Sequence, residues 1–243
     1  MKNKLKKMLS GVCAIVIATF LSTPLFAGSV AKFDPEMLKD PFGFGGAGAS
    51  LGGPYLSIKG SINGGTMNGE GANTNGERVK GSLGKIYGDW GANAGWVIPV
   101  GTGGFMLGFD VGIDPSNAFI KIDPGDSDGQ GDSDRVTVEI GDAASVSIMP
   151  MFAVNDNSAI YGKWGTAIVD LAWSGDIQDK TLNSSMRGDQ YAVGSRTMLG
   201  TNVYLQTELG AYDFEKFSFF TNTGNGTVRP RTAYGSLSLG VKY

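Results

Sequence analysis

Histidine is absent from the 243-residue chain, and the single cysteine, Cys13, lies close to its beginning. Without histidine the chain cannot build the base that Ser-His and Asp-His hydrolases depend on. Beyond residue 27 there is neither a cysteine for a disulfide nor an apolar run of ~18 residues for a membrane-spanning helix. We therefore expect no catalysis and no bound cofactor, and only a carboxylate-based mechanism stays formally open.

The first 27 residues have the order of a secretory signal peptide. Four lysines, ending at Lys7, precede an apolar stretch from Met8 to about Leu21, and Ala27 is a small residue suited to cleavage. Its removal takes Lys+Arg from 20 to 16 against 23 Asp+Glu, so the mature chain has a net charge of −7. An acidic chain of this kind is a poor partner for nucleic acid. A retained membrane anchor is the alternative interpretation.

Eight runs of alternating apolar and polar residues follow, and such alternation predicts strands with one apolar face. The runs begin at Tyr55, Lys85, Phe105, Val136, Ala159, Tyr191, Val203 and Ala233. The connections between them alternate in length: short ones over 99–104, 155–158 and 200–202, and long ones over 63–84, 114–135, 174–190 and 213–230. Aromatic residues stand near strand ends on the apolar face, as in the interfacial girdles of outer-membrane barrels.

This pattern predicts an all-β protein, an eight-stranded antiparallel transmembrane up-and-down β-barrel with short periplasmic turns and long outer loops. Three segments are expected: a signal peptide over 1–27, a Gly-rich periplasmic extension over 28–52, and the barrel over 53–243. Residues 43–53 of the extension are expected to be a flexible Gly/Ala linker. A soluble β-sandwich shows the same alternation and is the alternative.

A stretch near the end of the chain resembles a hairpin of the opacity-type outer-membrane β-barrel family, the small eight-stranded barrels of Gram-negative bacteria. The matching residues are Tyr191, Gly194, Thr201-Asn202, Glu208 and Tyr212-Asp213-Phe214, with Ile160 to Gly165 resembling the start of another family strand. The resemblance covers about residues 53–243 by pattern and is specific over 159–243. It implies a barrel in the cell outer membrane, but little about activity because the family is functionally mixed.

The end of the chain resembles the terminal-strand signal that barrel-assembly machinery reads. Its alternate positions are Leu237, Leu239, Val241 and Tyr243. Ser238 stands where a glycine is common in that signal. The resemblance implies periplasmic chaperones and the assembly machinery as partners, beside outer-membrane lipid and lipopolysaccharide.

The polar faces of the runs predict a cluster of ion pairs inside the barrel. Arg196 and Glu208 flank the 200–202 turn, so they are expected to lie opposite each other or one diagonal step apart. Lys163 and Lys85 are expected to share the carboxylate. A gate is the functional interpretation of this cluster, and a structural ion pair that fills a narrow interior is the interpretation we favour.

One Gly-rich segment concentrates acidic residues that could bind a hard cation such as Ca²⁺. They are Asp123, Asp126, Asp128, Asp132 and Asp134. The segment from Asp126 begins like a calcium loop, but its twelfth position is Thr137 instead of glutamate. A solvated acidic outer loop without metal is the interpretation we favour.

The sequence therefore predicts a non-catalytic barrel with a structural or surface-interaction, adhesin-like role and an extracellular ligand that the residues do not name. A narrow porin-like channel for small solutes or ions is the first alternative. A soluble exported binding protein is the second.

Overall fold

The computed structural model describes residues 48–72, 78–100, 103–115, 118–122, 136–175, 182–221 and 224–243. Ten strands and one short 3-10 turn, Ala49–Leu51, account for most of them. The strands are β1 (Gly53–Ala72), β2 (Arg78–Pro99), β3 (Phe105–Asp114), β4 (Ala118–Ile122), β5 (Val136–Asn155), β6 (Ser158–Gly175), β7 (Leu182–Met198), β8 (Val203–Phe214), β9 (Phe217–Thr221) and β10 (Gly224–Lys242).

The ten strands form one closed antiparallel barrel with eight strand positions around its wall. We call each position a stave; it is filled by one strand or by two strands that lie end to end. Strands that follow one another in the chain lie beside one another in the sheet, and β10 pairs with β1 to close it. Strand β4 continues the stave of β3 against β5, and β9 continues the stave of β8 against β10. The predicted eight-stranded up-and-down barrel is therefore confirmed, and the soluble sandwich is wrong because the sheet has no open edges along its main staves.

The two ends of the barrel differ. Three tight connections lie at the end where the chain also terminates, which we call the turn end; one is the Asp156-Asn157 turn, where the Asn155 side chain accepts a hydrogen bond from the Asn157 amide at 2.9 Å. The opposite end is the loop end. There the strands extend far into stretches predicted to be loops, with β7 beginning at Leu182 instead of Tyr191. Ladder hydrogen bonds do not need apolar side chains, so polar, Gly-rich sequence continues the strands beyond the alternating segments.

Side chains alternate between the interior and the outer surface as the period of two predicts. The outer face carries a belt of exposed apolar residues on every stave, including Ile58, Trp90, Phe109, Ile148, Trp164, Val193, Leu209 and Leu239. Water would penalise so large an apolar surface, whereas hydrocarbon solvates it, so the belt is that of a membrane-spanning barrel. In the described ranges no helix is long and apolar enough to cross a membrane.

The residues just before β1 pack into the turn end of the barrel. Leu51 is 1% exposed, and the 3-10 turn that contains it is closed by a hydrogen bond from the Leu51 amide to the Gly48 carbonyl at 2.9 Å. Gly48 has φ +86°, and a Cβ there would collide with Ala153. The prediction of a flexible linker over 43–53 is therefore wrong for residues 48–52, because Leu51 buries its side chain among the inward residues of the strands.

Closure depends on the last strand, so deleting Leu239 to Tyr243 should abolish membrane insertion. The deletion removes the ladder that joins residues 239–242 to residues 55–58 of β1, together with the adjoining pairs with β8. Unpaired backbone groups in lipid each cost several kcal/mol. Surface abundance and heat-modifiable gel migration measure the outcome. Tyr243→Phe, which keeps the exposed ring and the ladder, is the control and should insert normally; normal surface levels of the truncated chain would contradict the expectation.

Candidate functional site

A buried lysine lies between two buried carboxylates in the middle of the barrel. The Lys163 ammonium is 2.7 Å from Oδ1 of Asp110 and 3.4 Å from Oε2 of Glu208. The three side chains come from β6, β3 and β8, on different parts of the wall. All three are at most 5% exposed. We call these residues, with Arg196, the charged layer; its two positive and two negative charges balance.

Hydroxyl and amide groups donate further hydrogen bonds to both carboxylates. Asp110 accepts hydrogen bonds from the Tyr55 hydroxyl at 2.6 Å and the Asn93 amide at 2.8 Å. Glu208 accepts them from the hydroxyls of Tyr161 at 2.8 Å and Tyr234 at 2.7 Å. Because a buried carboxylate is tolerated only when it is paired and hydrogen-bonded, these donors and the Lys163 ammonium compensate the burial of both groups.

Arg196 lies inside the barrel but binds a different partner from the one expected. Its Nε and Nη2 atoms donate to Oε1 of Gln206 at 2.9 and 2.6 Å. The guanidinium carbon is 4.0 Å from the centre of the Tyr55 ring and 4.4 Å from that of Tyr204, within cation–π range. The register pairs Arg196 with Gln206, which leaves Glu208 one diagonal step away, so the cation that contacts Glu208 is Lys163.

Lys85 does not belong to the charged layer. It pairs with Gly65 near the loop end and is exposed, eight residues along β2 from Asn93. At about 3.3 Å per residue that separation exceeds 20 Å, beyond the reach of a lysine side chain. The expectation that Lys85 shares the Glu208 carboxylate is therefore corrected: its face was identified correctly, but its height in the barrel was not.

Apolar side chains fill the interior on both sides of the charged layer. The turn-end cluster contains Leu51, Tyr55, Val97, Met106, Met149, Met151, Ala153, Ala159, Tyr161, Met198 and Tyr204. The loop-end cluster contains Met67, Val169, Leu171, Met186, Phe214 and Val228. Sequence reasoning missed both clusters because it treated every inward position as polar. The inward methionines were the available signal, since methionine fills irregular gaps in cores.

A small cavity remains between the charged layer and the loop-end cluster. Its volume is about 60 Å³, and Val169 and Phe214 are among the apolar residues that line it. Its polar wall includes a second, partly buried ion pair, in which the Lys59 ammonium is 2.7 Å from Oδ1 of Asp114. A space of this size holds only a few water molecules.

Four inward tyrosines each lie directly opposite a glycine on the neighbouring strand. The register gives the pairs as Tyr55–Gly95, Tyr161–Gly194, Tyr204–Gly240 and Tyr234–Gly210. A Cβ at any of these glycines would come within 3.0 Å of the tyrosine ring or hydroxyl. The rings lie across the space that the missing side chains leave, and this brings three of the hydroxyls to the carboxylates. The high glycine content of the chain, 39 residues, is thus in part a requirement of interior packing.

The remaining predicted site residues fall elsewhere. The acidic segment Asp123, Asp126, Asp128, Asp132 and Asp134 lies outside the described residues. In the part of the chain that the structure describes, no group of three or more His, Cys, Asp or Glu side chains could hold a metal ion. The terminal-strand residues Leu237, Leu239, Val241 and Tyr243 lie on β10 or directly after it, and all four side chains are exposed on the outer face.

Comparison with known proteins shows the fold. No family model and no curated protein matches the chain. The chain is similar in structure to the outer membrane protein OprG of Pseudomonas aeruginosa, with a TM-score of 0.51 and 9% identity over 79% of this chain and 97% of that one.

Two further solved structures match at lower TM-scores. The attachment invasion locus protein Ail of Yersinia pestis, in complex with the heparin analogue sucrose octasulfate, is 12% identical over 76% of this chain and 99% of that one, at a TM-score of 0.41. Neisserial surface protein A is 14% identical over 76% and 97%, at a TM-score of 0.38. The structure of OprG is thus the one of these three that supports the shared fold.

Gly194→Ala should destabilise the barrel by about 1–3 kcal/mol. The added methyl group would meet the Tyr161 ring and the Thr207 carbonyl, and moving the ring would weaken its bond to Glu208. Urea unfolding in detergent micelles gives the free energy of unfolding. Gly162→Ala is the matched control on β6, because nothing lies within 4 Å of its Cβ position. Equal stabilities for the two variants would show that the interior has room for a methyl group at Gly194.

Lys163→Met should lower the free energy of unfolding by about 3–5 kcal/mol, because it leaves two carboxylates buried without their cation. Glu208→Gln should cost less, since Lys163 then keeps Asp110 as its partner at 2.7 Å. Combining Lys163→Met with Asp110→Asn and Glu208→Gln should recover part of the loss by making the layer neutral. The same urea titrations measure all variants, and strictly additive losses would contradict the shared ion pair.

Proposed function

We propose that the chain is an integral outer-membrane barrel that does not conduct solutes. It acts as a rigid scaffold for loops that interact at the cell surface. The observation that carries this proposal is the filled interior, in which the turn-end cluster, the charged layer and the loop-end cluster follow one another along the axis. An eight-stranded barrel is just wide enough to be filled by side chains. A path for solutes would have to break the ion pairs of Lys163 and displace both apolar clusters.

The orientation follows from the lengths of the connections. In outer-membrane barrels the short turns face the periplasm and the long loops face outward. We infer that the turn end, with residues 48–52 inside it, faces the periplasm, and that the loop end faces outward. The signal peptide over 1–27, the opacity-type family and the assembly signal of β10 belong to the same proposal.

A non-catalytic role is supported by the state of the buried charges. The side chains of Lys163, Asp110 and Glu208 bind one another and neighbouring hydroxyls, and each is buried inside the barrel. Catalytic acids and bases need access to a substrate in a cleft. The chain also contains no histidine to serve as a base near neutral pH.

The purified full-length chain should give no stable conductance steps in planar lipid bilayers, whereas a trimeric porin inserted under the same conditions should. Steps of one fixed size that scale with salt concentration would contradict the filled interior and favour the narrow-channel alternative. Insertion itself is checked by heat-modifiable migration of protein recovered from the bilayer.

The surface role needs a separate measurement. Cells that display the barrel are tested for binding to candidate surfaces, with residues 123–135 replaced by a Gly/Ser linker of equal length. The matched control changes the five aspartates of that segment to asparagine, which preserves its length and removes its negative charges. Loss of binding in the replacement would assign the interaction to this loop; binding unchanged by replacement of each long loop in turn would contradict a surface role.

A further inference from the structure

Toward the loop end, the outer surface of four adjacent staves changes from apolar to polar and charged residues. On β10 the outward residues run from Val241 to Ala233 and then become Arg231 and Arg229. The register places Arg231 opposite Asp213 of β8 on one side and Thr66 of β1 on the other. On the next pair of strands Glu70 lies opposite Lys80. We call the residues Glu70, Lys80, Asp213, Lys216, Arg229 and Arg231 the outer collar.

The collar lies at the upper edge of the apolar belt. Ten residues separate Val241 from Arg231, and strands of such barrels rise about 3.3 Å per residue at a tilt of about 40°. The vertical distance is therefore about 25 Å, which is the height of the apolar belt in outer-membrane barrels. Under the orientation given in the proposed function, on which this inference rests, Arg231 is level with the headgroups of the outer leaflet.

One carboxylate holds the two arginines of the collar side by side. Nε and Nη2 of Arg229 donate to the two oxygens of Asp213 at 3.0 and 2.7 Å, and Nε of Arg231 donates to Oδ1 at 3.2 Å. Each guanidinium has five N–H donors. Among the described residues, these three bonds are the polar contacts made by the two guanidiniums, so most of their ten donors remain for an external acceptor. Their side chains are 42 and 54% exposed.

The collar is basic on a chain that is acidic as a whole. Its four cations exceed its two carboxylates, while the chain has a net charge of −3. Collar residues line a surface groove of about 550 Å³: the cations Lys80, Lys216, Arg229 and Arg231, and the carboxylate of Glu70, which is 3.1 Å from the Lys80 ammonium. Paired arginines match the geometry of phosphate oxygens, to which they donate in a forked arrangement.

We propose that Arg229 and Arg231, aligned by Asp213, clamp a phosphate group of an outer-leaflet glycolipid, with Lys216 adding positive charge in the same groove. The acyl chains of that lipid lie against the apolar belt directly below, beside Ala233 and Leu237. The clamp fixes the height and rotation of the barrel relative to the leaflet.

The test measures binding of lipid A to the full-length barrel in detergent micelles by native mass spectrometry, with EDTA present to remove bridging divalent cations. Diphosphorylated lipid A should bind at least about tenfold more tightly than its dephosphorylated form, because the difference is made by charge-assisted hydrogen bonds. The double variant Arg229→Gln with Arg231→Gln should lose that difference. In the double variant Arg229→Lys with Arg231→Lys, the affinity difference should be smaller than in the unaltered protein and larger than in the double glutamine variant. Lysine keeps the positive charge but cannot donate the forked pair of hydrogen bonds.

Arg187→Gln is the matched control. Arg187 is an exposed arginine of β7 that donates to the Thr166 hydroxyl at 3.1 Å, outside the groove, so its loss should leave lipid A binding unchanged. Heat-modifiable migration confirms that each variant is folded. If the double glutamine variant does not fold, the salt dependence of the unaltered protein decides: sodium chloride should weaken binding of the diphosphorylated form several-fold and spare the dephosphorylated form.

Three results would overturn the clamp. They are equal affinity for the two forms of lipid A, unchanged affinity in the folded double glutamine variant, and equally tight binding of free pyrophosphate or of a sulfated oligosaccharide. The last result would assign the collar to soluble anions or to sulfated glycans. The conductance of the same variants is recorded separately, so a failure of the clamp is distinguished from a failure of the proposed non-conducting role.

Discussion

Two carboxylates, Asp110 and Glu208, lie in an interior from which the barrel wall excludes bulk water. Each ionised group buried in this way costs several kcal/mol unless a cation and hydrogen bonds compensate it. Lys163 supplies the cation to both, at 2.7 and 3.4 Å, and thereby connects three strands, no two of which are neighbours in the sheet. The tyrosine hydroxyls, the glycines that make room for the tyrosine rings, and the register of the strands all follow from placing these groups together.

The apolar layers above and below have an electrostatic role beside filling space. By keeping water from both ends of the charged layer, the methionine-rich turn-end cluster and the loop-end cluster lower the local dielectric response. Ion pairs are stronger in such surroundings, and an unpaired charge there is correspondingly more costly. The buried charges therefore specify the register of strand pairing, because a slip of one residue in any strand that carries a charge would turn that charge toward lipid.

The alternation of the sequence was sufficient to predict the closed eight-stave barrel and the inward orientation of Glu208, Arg196 and Lys163. It could not predict partners, because the partner of Arg196 depends on the pairing of Met198 with Tyr204 across the turn, and that pairing depends on turn geometry. Nor does a period of two indicate height along the axis, which is why Lys85 was misplaced.

The burial of Leu51 couples the beginning of the barrel to its completion. The turn that carries this leucine directly precedes β1, and the Lys242 ammonium at the end of β10 donates to the Gly52 carbonyl at 3.2 Å. The same short segment thus buries an apolar side chain in the interior and contacts the last strand at the point where that strand pairs with β1. Residues 48–52 therefore connect the interior of the turn end directly to both strands at which the barrel closes.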